Sequence, residues 1–249
     1  MGIFDFLKKG SAPPPASPGA KKVAGPARLA ADKRAQPYDR AEAIRQLVEL
    51  GTPEAAEALL KRFTFTIDPS ITDQEEKDAA FAGIVAIGQP AVEHIRDFCE
   101  RAEVLTWPLR MFHEILDEEA YQAELLALAE GYDTDYSRNV EPKLQVVAAL
   151  GDLTGDDVRH AVERFLTDVN ETVRFHAVQS TFAQSKKESI EPLLTLFETE
   201  ESVRIKNKVC EGFIQKGWRL TDAQRARVAG AMRDVDDFRL GSDGAFVRR

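Results

Sequence analysis

From Tyr38 onward the apolar residues of this chain recur three to four positions apart, the spacing of one helix face, and the recurrence breaks at the same kinds of residue each time. Ala43, Ile44, Leu47 and Leu50 form one stripe, which stops at Gly51. Thr52 and Pro53 then supply a helix start, a capping hydroxyl followed by a proline whose missing N–H is harmless at that place. Ala56, Leu59, Leu60 and Phe63 form the next stripe. The same alternation predicts helices over 73–87 and from Pro90 through Phe98, over 108–116 and 119–128, and over 140–150 and from Val158 to Leu166. It continues over 173–182 and 190–197, over 203–214, and from Thr221 through Val228 and Met232. Pro53, Pro90, Pro108, Pro142 and Pro192 all fall where a helix is predicted to begin. The one stretch with period-two character, 62–67, runs into Asp68-Pro69 and reads as a helix end followed by an extended loop over 64–72.

A basic residue opens one segment after another: Arg40, Lys77, Arg110, Lys143, Arg174 and Arg204, at intervals of 37, 33, 33, 31 and 30 residues. A period of that length belongs to stacked helix pairs. The expected fold is therefore all-α, an α-α superhelix of about six helix pairs over residues 37–238. Residues 1–36 are expected to be a short amphipathic segment and a Pro/Ala/Lys-rich flexible linker, because Pro13, Pro14, Pro15, Pro18 and Pro26 lie among small and charged residues that bury little apolar surface. Residues 239–249 are expected to be a flexible tail.

Two stretches are close copies: Asp168-Val169-Asn170-Glu171-Thr172-Val173-Arg174-Phe175 and Glu198-Thr199-Glu200-Glu201-Ser202-Val203-Arg204-Ile205. Each has an acidic turn, then Val-Arg, then an apolar helix. This arrangement resembles the HEAT repeat. The resemblance implies a structural ladder in which Asp168 and Arg174 pair and Arg204 holds the next rung. Arg62-Phe63-Thr64-Phe65, Trp107-Pro108-Leu109-Arg110, Val203-Arg204-Ile205-Lys206-Asn207 and Gly217-Trp218 are similar to an uncharacterised bacterial family of HEAT-repeat proteins, a likeness that covers most of 38–220 and implies no enzymatic activity.

Charge is unevenly placed. Residues 1–34 carry seven Lys/Arg and two Asp, a net of +5, which leaves −14 on the remaining 215 residues of a chain with a formal charge of −9. An acidic body repels phosphates and disfavours nucleic acid as a partner. The histidines, His94, His113, His160 and His176, show no ligand or triad spacing, and no nucleophile elbow, phosphate loop or dinucleotide fingerprint occurs, so no catalytic residue, metal or cofactor is expected. Cys99 and Cys210 sit among apolar helical neighbours and read as reduced core residues.

The expected function is a non-enzymatic scaffold that binds a protein partner on the curved face of the array. Arg45, Lys143, His176, Lys206, Asn207, Trp107 and Trp218 are the candidate contacts. Ile3, Phe4, Phe6 and Leu7 with Lys8 and Lys9 form a second candidate, a short amphipathic hook that docks on a protein or makes weak contact with a membrane surface through residues 1–9. The expected location is cytoplasmic, peripheral to the membrane where the hook engages lipid, since no apolar run reaches bilayer length and no signal sequence is visible. Two enzymatic or nucleic-acid alternatives follow from likeness to HEAT arrays alone. One is excision of alkylated DNA bases, which needs a basic stripe such as Arg174, Arg204 and Lys206. The other is bilin attachment.

Overall fold

The computed structural model describes residues 18–249, and among them are thirteen α-helices and one two-stranded hairpin. The described residues divide into two compact units, 18–95 and 96–249.

In the first unit, α2 (Pro37–Leu50) ends at Gly51, whose φ of 57° is the left-handed conformation a helix C-cap requires. Thr52 then caps α3 (Pro53–Leu60) by accepting from the Ala55 amide, with Pro53 at the first helical position. A 3-10 turn, Lys61–Thr64, and a short extended passage lead to α4 (Ser70–Ile87), which starts three residues earlier than its apolar stripe predicts. The helices α2 and α4 lie side by side in one layer, and α3 packs across both. Their shared core is Ala43, Ile44 and Leu47 from α2, Leu59 and Leu60 from α3, and Ala80 and Ile84 from α4.

One element of this unit is a correction to the sequence reading. Residues 18–30, expected within a flexible linker, form α1 (Pro18–Ala30), packed on α2 and α3. Pro26 inside it removes one backbone donor, which is why the segment reads as a helix breaker. Val23 and Ala30 are nevertheless buried, and Pro26 and Ala27 are half-buried, an i, i+3, i+4, i+7 stripe that packing sustains despite the proline.

The second unit contains α6 (Thr106–Ile115), α7 (Glu118–Glu130), α8 (Glu141–Gly151), α9 (Asp156–Arg164), α10 (Glu171–Gln184), α11 (Ile190–Thr199), α12 (Val203–Lys216) and α13 (Asp222–Val228). A helix α5 (Val92–Cys99) stands at the division between units. The predicted starts hold because caps specify them: Asp117, Asn170 and Ser202 each accept from the first turn, and Thr221 with Gln224 completes a capping box. In this unit α8, α10 and α12 form one layer, while α7 pairs with α9 and α11 with α13 in the other. Phe165, Val173, Val178, Phe197, Val209 and Phe213 are among the buried side chains between the layers.

The second correction is at the C-terminus. Residues 239–249, expected as a flexible tail, form most of an antiparallel hairpin of β1 (Phe238–Leu240) and β2 (Phe246–Arg248), closed by a turn with Gly244 at φ 79°. Phe246 is buried with its ring 5.1 Å from that of Phe213 and 6.0 Å from that of Phe197. That aromatic contact gives the last residues the burial that composition alone does not reveal.

Neighbouring layer helices approach closely where glycine permits it. A Cβ at Gly212 on α12 would run into the ring of Phe182 on α10, whereas Gly25 on α1 has nothing within 4 Å. Gly212→Ala is therefore expected to lower stability by about 1–3 kcal/mol through overpacking. Gly25→Ala should be neutral or stabilising by up to about 1 kcal/mol through helix propensity. Denaturant unfolding of the two variants beside the parent checks both signs.

Candidate interaction edge: a buried ladder and the apolar row beside it

A basic residue near the start of α2, α8, α10 and α12 is the origin of the ladder. Arg40 is the fourth residue of α2. Its Nε donates to Glu76 Oε2 on α4 at 2.7 Å, and its Nη1 donates to the Ala35 carbonyl at 2.8 Å. The same carboxylate oxygen accepts from Arg62 Nε at 2.7 Å. Arg62 further donates to Asp73 Oδ1 at 2.8 Å and to the Phe65 carbonyl at 3.1 Å, and its guanidinium lies 4.6 Å from the Phe65 ring centre. Lys77 completes the cluster by donating to Asp73 Oδ2 at 2.6 Å. Arg40, Arg62, Glu76 and Lys77 are all buried. Arg62, which carries the most connections of any of them, lies in the 3-10 turn outside the helical periodicity, so its spacing gave no sign of the role.

The second unit repeats the device with different residues. Lys143 on α8 donates to Asp168 Oδ2 at 2.7 Å. Asp168 Oδ1 accepts from the Asn170 amide at 2.8 Å, which fixes the turn entering α10. Arg174, the fourth residue of α10, grips Glu200 with two bonds of 2.7 and 2.9 Å, and its Nη1 donates to the carbonyls of Asp168 and Val169 at 2.9 and 3.1 Å. Glu200 in turn accepts from the amides of Glu201 and Ser202 at 3.1 and 2.9 Å. Lys206, the fourth residue of α12, donates to the Ala231 carbonyl at 3.3 Å. A cation in the first turn of each of these helices thus reaches forward to the turn or helix that follows in the stack.

This connectivity differs from the expected one. Asp168 does not pair with Arg174 through its carboxylate; it reaches back to Lys143, while Arg174 reaches forward to Glu200. Arg204 is not a rung. It is the second residue of α12, and its guanidinium stacks 3.8 Å from the Phe175 ring centre. Lys206 occupies the equivalent place, because helical position rather than the Val-Arg dipeptide decides which side chain reaches the segment that follows.

Two ladder acids have carboxyls held below their ordinary range. Burial of Glu200 works against its charge, and the Arg174 pair with the Ser202 and Glu201 amides overcomes it. Burial likewise opposes ionisation of Asp73, outweighed by Lys77, Arg62 and the Ile67 amide.

The remaining candidates fall in three groups. Lys143, Lys206 and Trp218 are buried, so they are not surface contacts: the two lysines belong to the ladder, and Trp218 packs edge-on to Phe213 at 5.7 Å and tilted on Phe182 at 5.6 Å. His176 and Asn207 are half-buried. Burial, then the neighbouring Arg204 charge, pushes the His176 imidazole below its usual value, so it is neutral at pH 7, and Asn207 donates to Asp237 at 3.4 Å. Trp107 is half-buried with the Arg110 guanidinium 4.7 Å from its ring centre, and Arg45 is exposed and engaged by Glu42 and Glu49. The Arg174, Arg204 and Lys206 stripe is accordingly absent as a basic surface: one is paired with Glu200, one is stacked and one is buried. Ile3, Phe4, Phe6, Leu7, Lys8 and Lys9 lie outside the described residues.

Beside the ladder stands a feature with no sequence expectation. Among the described residues seven large apolar side chains are exposed, and five of them flank ladder turns: Tyr38 at 80% and Ile71 at 71% in the first unit, and Tyr136 at 84%, Val169 at 59% and Val203 at 47% in the second. The three in the second unit belong to neighbouring turns. The Val169 amide donates to the Thr134 carbonyl at 2.9 Å, and Ser202 donates to Glu171 at 2.8 Å, so the turns entering α8, α10 and α12 are tied side by side. A cleft of about 660 Å³ opens at the same edge, where Asp168, Arg174, Glu200 and Glu201 meet Leu166 and Leu196.

A family model agrees with the repeat architecture. Residues 39–64 match the model of the PBS lyase HEAT-like repeat, a span that holds α2, α3 and the turn carrying Arg62. No curated protein matches the chain. Seven chains of solved structures match it; one, from work on the computational design of self-assembling cyclic protein homooligomers, is 16% identical over 87% of this chain and 88% of its own, with a TM-score of 0.18. No helix among the described residues is long and apolar enough to cross a membrane.

Two outcomes follow. Because the folded Glu200 and Asp73 carboxyls lie below their unfolded values of 4.5 and 3.8, the stability they contribute is complete above those values and is lost as pH falls from them through the lower folded values. Glu200→Gln is expected to cost roughly 2 kcal/mol at pH 7, discounted for the partial exposure of Arg174, and to flatten the loss of stability between pH 5 and pH 3. Denaturant titrations across that range measure both. Burial pushes the thiols of Cys99 and Cys210 up to about 12. Neither should react with a thiol probe at pH 8 in the native protein, and both should react after unfolding.

Proposed function

We propose that this chain, a HEAT-like repeat protein, is a non-enzymatic cytoplasmic scaffold that binds a protein partner along the ladder edge of its second unit. The observation that carries the reading is the row Tyr136, Val169 and Val203, solvent-exposed apolar side chains on three consecutive turns held in register by the ladder. Contiguous exposed apolar groups mark interaction sites, whereas scattered ones need no explanation. Packed helices lie about 8–10 Å apart, so the row presents one apolar anchor at about that interval. Asp133, Asp135, Glu171 and Glu201 stand exposed along the same edge, against Arg138 and Arg204. The complementary partner offers apolar side chains with a similar spacing and basic residues between them.

This placement moves the partner surface from the face carrying Arg45 to the edge carrying the turns. The lyase in the matched model's name is not carried over, because residues 39–64 contribute packing helices and two arginines committed to Glu76.

The test is site-specific photocrosslinking in cells. A photoreactive residue at 136, 169 or 203 should capture one common protein, and the same residue at Ile214, exposed on α12, should not. Tyr136→Asp with Val169→Asp should weaken binding of that protein at least tenfold while leaving the thermal midpoint within a few degrees, as expected when anchor residues are lost from a surface. Equal capture from position 214, or capture of nucleic acid alone, would contradict the proposal.

A further inference from the structure

A separate groove of about 420 Å³ runs between α2 and α4 in the first unit. Ile44 forms its floor and half-buried Val48 one side, and exposed Ala41, Ala79 and Ala82 leave both backbones open to close approach, since the distance between packed helices follows the size of the side chains at the contact. Its surroundings are acidic. Glu49 and Glu75 border it and Glu42 stands beside it, against one guanidinium, Arg45, which Glu42 and Glu49 already share.

We infer that the occupant of this groove is the chain's own N-terminal segment, residues 1–9. Ile3, Phe4, Phe6 and Leu7 have the i, i+1, i+3, i+4 spacing of a helix-in-groove ligand. Lys8 and Lys9 follow directly and bring two positive charges to a border with a surplus of two negative ones. Residues 10–17 span at most about 26–29 Å when extended, and they join α1, which packs on α2. Such a tether holds the segment near its groove at an effective concentration of the order of millimolar, so a contact that would be weak between separate molecules is occupied within one chain. The inference does not rest on the partner edge of the second unit.

The experiment uses the full chain. A fluorescent peptide of residues 1–9 is titrated by anisotropy into the parent protein, into Phe4→Glu/Phe6→Glu, and into that variant with Ala79→Arg added. Binding to Phe4→Glu/Phe6→Glu is expected at least tenfold tighter than to the parent, whose groove is filled in cis, and is expected to fall at least tenfold when Ala79→Arg is added. In parallel, the methyl resonances of Val48, Ala79 and Ala82 should shift between the parent and Phe4→Glu/Phe6→Glu, at equal magnitude from 10 to 500 µM protein. Equal peptide affinity for the parent and Phe4→Glu/Phe6→Glu, or unmoved methyl resonances, would overturn the inference. So would shifts that appear only at high concentration, which would mean a second copy supplies the segment. Sedimentation of the parent with phosphatidylserine vesicles, abolished by Phe4→Glu/Phe6→Glu while the groove methyls stay unchanged, would assign the segment to lipid and equally overturn it.

Discussion

The interaction on which the rest of this structure depends is a buried or half-buried cation that reaches from one helix to a buried carboxylate in the turn or helix beyond it. Lys143 to Asp168 and Arg174 to Glu200 are the clearest cases, and Arg40 and Arg62 on Glu76 are the doubled version. Each charge is costly to remove from water, and each is repaid only by the particular partner that geometry supplies. A one-turn slip between neighbouring helices would leave an unpaired ion inside the protein, so the ladder forbids slips that the apolar stripes alone would tolerate. Its contribution is to register more than to total stability, which the apolar layers provide.

The same constraint shapes the surface. Because the ladder engages its lysines, arginines and carboxylates internally, the turns that carry it in the second unit are tied to one another by hydrogen bonds. Apolar residues placed on such turns are held at fixed intervals, which is the preorganisation a binding edge requires. Val169 illustrates the coupling: its amide ties it to Thr134, its carbonyl accepts from Arg174, and its side chain points to solvent.

Most helix boundaries were legible because local chemistry sets them. Gly51, Thr52, Pro53, Ser202 and Thr221 specify caps through their own backbone and side-chain groups, with no need of distant contacts. The helix over 18–30 and the C-terminal hairpin were not legible, because Pro26 argues locally against the first and three-residue strands carry too little pattern for the second; both exist through tertiary burial, of Val23 and Ala30 in one case and Phe246 in the other. In the candidate site, Asp168 and Arg174 could be identified as ladder residues, but not their partners, since the pairing depends on which helix stacks next. Lys143 and Lys206 were misplaced on the surface because lysine is rarely buried without a partner, and the partner lies in another segment of the chain. The apolar row escaped notice because Tyr136 and Val169 precede their helices and Val203 opens one, so they mark no face of a helix.

A double-mutant cycle on Lys143 and Asp168, with Lys143→Met and Asp168→Leu singly and together, tests the central claim most directly. Both side chains are buried, and the ladder account predicts a coupling of about 2 kcal/mol or more in denaturant unfolding, each single variant being far worse than the pair. A coupling below about 0.5 kcal/mol, the level of an exposed pair such as Arg45 and Glu49, would show that the rungs are incidental and contradict the account.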